Sequence, residues 1–245
     1  MSKNFELLLR TQKEQEKLPP SGVASANGVH PRMDLSVMAG EETVKMVQRV
    51  FLIPGPGAPR AVVFSGVEHG DGCSWVCSTA ATALMAQALG SVCVVDGNLR
   101  RPSLHRYFGV ENRVGFSEAV AGPGPIRNFT QQVAGGGDLW VLPSGAAVSD
   151  PHTVLHCEGF RARMAELRAE FDNVLIDAPP VNFYADAIAL GQLADGIVMV
   201  LQSNATRREA ARRAKESFEA ANVRLLGAVL NKRTFPVPQV FYGKL

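Results

Sequence analysis

The chain is predicted to be an α/β protein, a mostly parallel central sheet with helices on both faces, folded as one domain. Three observations carry that expectation. Short, fully apolar runs alternate with helical patterns between residues 61 and 230, and strands that are apolar on both faces belong to sheets covered on both sides. A turn rich in glycine joins the first of these runs to a helix. The chemistry-bearing positions, the turn at Gly66, Asp96 and Asp177, all follow the carboxyl ends of apolar runs, which is where parallel sheets bind ligands.

Residues 1–33 read as a flexible tail, a charged segment followed by L-P-P-S-G with little to pack. The folded unit is expected over 34–235, and 236–245 as a C-terminal tail. Residues 41–51 place Val44, Val47 and Phe51 at helical spacing with the acids first. The P-G-P-G-A-P stretch at 54–59 then breaks the chain. Ala61 to Phe64 has the β-branched content of a buried strand. The alanine-rich run 74–89 suits a helix, and V-C-V-V at 92–95 a strand ending at Asp96. A Gly-rich stretch at 121–137 leads to L-W-V-L-P at 139–143. One helix is expected over 153–170, a strand over 173–177, a helix over 184–193, a strand over 197–201, a helix over 206–221 and a last strand over 225–230.

The composition, 46% apolar and 20% charged over 245 residues, is that of an ordinary globular protein. A net charge of +2 gives no ground for a nucleic-acid partner. No apolar run approaches the roughly 18 residues that span a bilayer, and the N-terminus lacks the pattern of a secretory signal. A cytoplasmic location is therefore expected, with any membrane link made through a partner. The four cysteines, Cys73, Cys77, Cys93 and Cys157, read as reduced thiols. His152 and His156 share a helix face beside Cys157, but without a further ligand at clear spacing a zinc site is disfavoured. T-R-R-E-A-A-R-R-A-K at 206–215 is a basic helix face, read first as solvated.

Strand, glycine loop and helix together are the setting of the phosphate loop G-x-x-x-x-G-K-[ST]. Here Gly66, Gly70, Asp71, Gly72, Cys73, Ser74 and Trp75 form a relaxed version, with Cys73 where the lysine is expected. Such a loop offers backbone N–H groups and a helix N-terminus to phosphate. The Ser74 hydroxyl, Asp177 and Asp96 are the candidate ligands of a Mg²⁺ ion, which is bound by one or two carboxylates plus phosphates. Taken one at a time, either aspartate also fits a turn or a helix cap.

The strings around these residues sharpen the reading. V-V-D-G-N-L-R-R-P-S-L-H at 94–105 and F-D-N-V-L-I-D-A-P-P-V at 171–181, with the glycine loop, resemble the cytoplasmic kinase domain of the bacterial tyrosine kinases (BY-kinases). Further agreement lies in V-G-F-S-E-A-V-A-G at 114–122, L-P-S-G at 142–145, A-D-G-I-V-M-V at 194–200 and L-G-A-V-L-N at 226–231. The resemblance covers roughly residues 41 to 231. It implies a P-loop NTPase-like fold, ATP or ADP with Mg²⁺ as cofactor, and a role in regulating capsular or exopolysaccharide synthesis. It also implies a membrane-bound chain-length regulator as partner, and leaves a homo-oligomer open. On the family's pattern Asp96, Asp177 and Arg100 are the catalytic candidates.

The departures from that pattern matter as much. Cys73 replaces the phosphate lysine, Asn98 the second acid after Asp96, and Trp75 a small residue. The family's E-x-x-R-x-x-R helix is matched in part by Glu42, Lys45 and Gln48, and its C-terminal tyrosine cluster is reduced to Tyr242. No lysine occurs between Lys45 and Lys215, so the nearby cations by sequence are His69, Arg100 and Arg101. A hydrogen bond to a charged partner contributes about 1.5–3 kcal/mol, so losing the lysine weakens triphosphate binding by roughly one to two powers of ten. Phosphoryl transfer depends more steeply on charge stabilisation. The expectation is weak nucleotide binding and impaired catalysis in a nucleotide-responsive or structural regulator. An active tyrosine autokinase is the first alternative. A partitioning-type P-loop ATPase is the second, disfavoured because Gly66-Val67-Glu68-His69 lacks that group's signature lysine.

Overall fold

The computed structural model describes residues 40–52, 57–87 and 90–233. The expectations for both tails, and for Tyr242, lie outside the described residues. Helix α1 (Glu41–Phe51) carries Glu41 and Glu42 in its first turn and Arg49 in its last, both favourable to the helix dipole, and it buries Val47 and Phe51. The remaining elements in order are β1 (Ala61–Gly66), α2 (Cys73–Gln87), β2 (Val92–Asp96), α3 (Leu104–Phe108), α4 (Phe116–Ala121) and a 3₁₀ turn at Ile126–Phe129. These are followed by β3 (Gln131–Gln132), β4 (Leu139–Leu142), α5 (Pro151–His156), α6 (Glu158–Glu170), β5 (Asn173–Ala178), α7 (Asp186–Gly191), β6 (Gly196–Gln202), α8 (Arg208–Ala220) and β7 (Leu225–Asn231).

The seven strands form one sheet in the order β3-β4-β2-β5-β1-β6-β7. Every pairing is parallel except the two-residue edge strand β3, which runs antiparallel to β4. Side-chain alternation divides the core into two layers. Ala61, Val63, Cys93, Val95, Val174, Ile176, Ile197 and Met199 point to one face, under Phe116, Phe160, Leu167 and Phe218 from α4, α6 and α8. Val62, Phe64, Val92, Val94, Leu175, Val198 and Val200 point to the other, under α1, α2 and α3. Cys77 and Cys93 are fully buried in these layers as small apolar groups. The predicted three-layer α/β fold is the one observed.

Two local expectations change. The single helix expected over 153–170 is two. Cys157 takes extended dihedrals (φ −80°, ψ 161°) between α5 and α6, and α5 begins earlier, at Pro151, with the Asp150 side chain accepting from His152 N. The break lets Gly159 pass against α4, where a Cβ would lie 2.4 Å from the Val120 carbonyl oxygen. Residues 104–108 and 116–121 form short helices that five- and six-residue segments are too brief to announce by periodicity. The second is secured by the Glu118 carboxylate, which accepts from Gly115 N at 2.8 Å and Ala146 N at 3.1 Å.

Candidate functional site

The site lies at the carboxyl ends of β1, β2, β5 and β7. After β1 the loop 67–72 turns sharply, with Gly70 (φ +91°) and Gly72 (φ +79°) in backbone conformations that L side chains rarely adopt. Its shape is fixed by Asp71. One oxygen of that carboxylate accepts from Val67 N at 2.9 Å and Glu68 N at 2.8 Å, and the other accepts from the Thr206 hydroxyl at 3.1 Å. The Asp71 carbonyl accepts from Asn231 Nδ2 at 2.8 Å. One residue thus ties the loop to the segment before α8 and to the end of β7. Asp71, singled out as cofactor-binding, has its carboxylate committed to this frame.

Helix α2 starts at Cys73, so Ser74 is in its first turn. The Ser74 hydroxyl donates to Asp177 Oδ2 at 2.5 Å. Asp177 lies directly opposite Asp96 in the parallel pairing of β2 and β5. By alternation both carboxylates share the face covered by α2. Asp96 Oδ2 accepts from Ser103 N and Leu104 N, both at 2.9 Å. Asp96 Oδ1 and Asp177 Oδ1 are buried and have no hydrogen-bond partner among the described residues. Two buried carboxylate oxygens without donors are costly to keep unless something positive meets them. Burial raises the pKa of both acids, Asp96 to about 8 with the Asp177 charge as a further cause, and Asp177 to about 6 because the Ser74 and Cys73 side chains partly offset the burial.

Hard oxygen donors from two carboxylates and a hydroxyl at a helix N-terminus fit Mg²⁺. Among the described residues no group of three or more His, Cys, Asp or Glu side chains is placed to hold a metal ion, so an ion here needs ligand oxygens from outside the chain as well. The loop geometry leaves no room for a side chain at Gly72, where a Cβ would lie 2.3 Å from Asn231 Nδ2.

The other candidates are placed as follows. The half-buried Cys73 has its thiol against the Asp177 carboxylate, and burial, then the Asp177 charge, push its pKa well above the usual thiol range. A neutral thiol is a poor nucleophile. Trp75 packs on the core layer beneath α2, and its carbonyl accepts from Ser78 and Thr79 hydroxyls. Arg100 is drawn into a two-pronged pair with Asp186, Nε–Oδ2 2.8 Å and Nη2–Oδ1 3.0 Å, with its guanidinium 4.2 Å from the centre of the Tyr184 ring. The His69 ring lies against that of Phe183, centres 4.7 Å apart and planes tilted by 39°. The His152 and His156 rings lie against each other with centres 4.1 Å apart and planes tilted by 38°, on α5 rather than at the strand ends.

No family model matches the chain. Tyrosine-protein kinase YwqD of Bacillus subtilis is 32% identical over 172 residues, which cover 70% of this chain and 72% of that protein. The chain belongs to the bacterial tyrosine kinase family. A second member, tyrosine-protein kinase etk of Escherichia coli, is 28% identical over 170 residues, covering 69% of this chain but only 23% of that longer protein. Among solved structures, the chimerical protein CapA2B2 superposes with a TM-score of 0.75 at 26% identity, covering 92% of this chain and 99% of that one. The family assignment therefore rests on sequence and fold together. No helix among the described residues is long and apolar enough to cross a membrane.

Proposed function

We propose that this BY-kinase family member binds a nucleotide with Mg²⁺ but transfers phosphate weakly, and that it regulates capsular or exopolysaccharide synthesis beside a membrane-bound chain-length regulator. The observation that carries the first part is the pair of unpartnered oxygens on Asp96 and Asp177 next to the Ser74 hydroxyl. Two strand-end acids beside a hydroxyl at a helix start suit the metal site of a phosphate loop, with Asn98 in place of the family's second acid after Asp96. Ser74, Asp96 and Asp177 would hold Mg²⁺, which supplies charge against the phosphate oxygens. The glycine loop and the start of α2 would receive the phosphates through backbone N–H groups.

In a tyrosine kinase the acceptor phenol must lose a proton as it attacks the terminal phosphorus, and ADP leaves. On the family pattern Asp96 would take that proton, a role open only to its charged form. Arg100 would stabilise the transferring group only if it left Asp186. The lysine that family members place over the phosphates is replaced by a thiol that faces Asp177 instead, which supports slow turnover. Polysaccharide control and the membrane partner rest on family membership alone.

Calorimetric titration with Mg-ADP and Mg-ATP, beside the same titrations of Cys73→Lys, tests this reading. Wild type should bind with modest affinity and Cys73→Lys more tightly, while autophosphorylation of the wild type stays far below that of the variant. Rapid wild-type autophosphorylation abolished by Asp96→Ala would overturn the claim of weak transfer.

A further inference from the structure

We infer that Lys232, at the end of β7, supplies the phosphate-loop cation that Cys73 does not. This deepens the nucleotide-binding reading and rests on it. A Cβ built on Gly72 would lie 3.7 Å from Lys232 Cε, so the lysine stem runs alongside the last glycine of the loop, one residue before the position where a phosphate lysine is expected. The approach is fixed. Asn231, its neighbour, donates through Nδ2 to the Asp71 carbonyl at 2.8 Å and accepts from Ser203 N through its own carbonyl at 2.9 Å. Lys232 itself has φ +54°, an uncommon backbone conformation for a residue with a side chain. The chain turns there, directly after the strand, beside the loop.

Of the three cations that the sequence places near the loop, two have partners elsewhere. Arg100 is paired with Asp186 and lies over the Tyr184 ring, His69 lies against Phe183, and Arg101 is exposed. Among the described residues, the Lys232 ammonium has no carboxylate within ion-pair distance. A lysine ammonium is a compact charge on a flexible stem, which lets it serve a phosphate from a different strand as well as from the loop itself. Arriving at the side of the loop, it favours holding the phosphates of a bound nucleotide. It does not restore the family's geometry for transfer.

The test is a cycle of Lys232→Met, Lys232→Arg, Cys73→Lys and the double variant Lys232→Met/Cys73→Lys, with Mg-ADP affinity as the readout and thermal midpoints as a folding control. Lys232→Met is expected to weaken Mg-ADP binding tenfold or more at unchanged midpoint, and Lys232→Arg to stay within about threefold, since a positive charge is kept. Cys73→Lys should recover affinity more strongly in the Lys232→Met background than in wild type, because the two cations serve the same phosphates. Unchanged affinity in Lys232→Met, or equal gains from Cys73→Lys in both backgrounds, would overturn the inference. A silent wild type beside a binding Cys73→Lys would do so too, while leaving the phosphate-loop reading intact. Failure of every variant to bind would remove both.

Discussion

Asp96 and Asp177 sit opposite each other on neighbouring strands, and each keeps one buried oxygen without a donor. Their folded-state pKa values, about 8 and about 6, lie above the ordinary carboxylate value of 3.8. A raised folded pKa means that the protonated form is favoured by the fold. The contribution to stability is full below the unfolded pKa and is lost as pH rises through the folded value. Without Mg²⁺ the protein should therefore lose stability between about pH 4 and pH 8. Asp96→Asn removes the charge while its carbonyl can still accept from Ser103 N and Leu104 N. It should raise stability at pH 8 without metal by about 1–2 kcal/mol and flatten the pH dependence, as thermal melts in EDTA would show. A variant less stable than wild type at pH 8 would sink this account. Metal and nucleotide should bind more tightly as pH rises over the same range, since the ligand form is the carboxylate. At this scale the sequence was informative about the acids, because strand-end aspartates have a local signature. It was silent about Lys232, because the approach of β7 to the loop is non-local and a positive φ at a lysine has no sequence mark.

The glycine loop is an element held by its neighbours rather than by its own composition. Asp71 gathers Val67 N, Glu68 N and the Thr206 hydroxyl with its carboxylate and Asn231 with its carbonyl. Asp71→Ala leaves Glu68 N and Thr206 without this acceptor and should cost about 2–3 kcal/mol, seen as a lower urea midpoint at unchanged slope. Asp71→Asn keeps one acceptor oxygen and should cost less. Gly72→Ala should be worse for binding than for folding. The new methyl would displace Asn231 Nδ2, which it would meet at 2.3 Å, and with it the path to Lys232. Long elements were legible from periodicity: α1, β1, α2, β2, β5, β6, α8 and β7 fall within a few residues of expectation. The break at Cys157 was not. Asp150-Pro151 is a helix-start signal of the cap-and-proline kind. The interruption six residues later is imposed by packing of Gly159 on α4, which no local pattern encodes.

At the scale of the whole molecule, the site draws on the ends of β1, β2, β5 and β7, which lie in a sheet whose central strands are buried on both faces. A ligand that joins the Asp96 and Asp177 carboxylates to the glycine loop therefore touches most of the sheet's carboxyl edge. Its binding energy should add to the stability of the entire fold rather than tighten one loop. At a free ligand concentration about 100 times Kd the added stability is about 2.7 kcal/mol. For a domain of this size each kcal/mol moves the midpoint by about 2–4 °C, so saturating Mg-ADP should raise the melting midpoint by about 5–10 °C. EDTA should abolish the shift, because the phosphates then meet two carboxylates with no ion between them. Asp177→Asn should also abolish it, since Ser74 and the metal lose a shared ligand. Amide exchange would separate the global from the local case. Protection rising together in β1, β2 and β5 supports coupling through the sheet. Protection confined to residues 66–74 would mean that the nucleotide is held by the loop alone and that the paired aspartates are not its metal site.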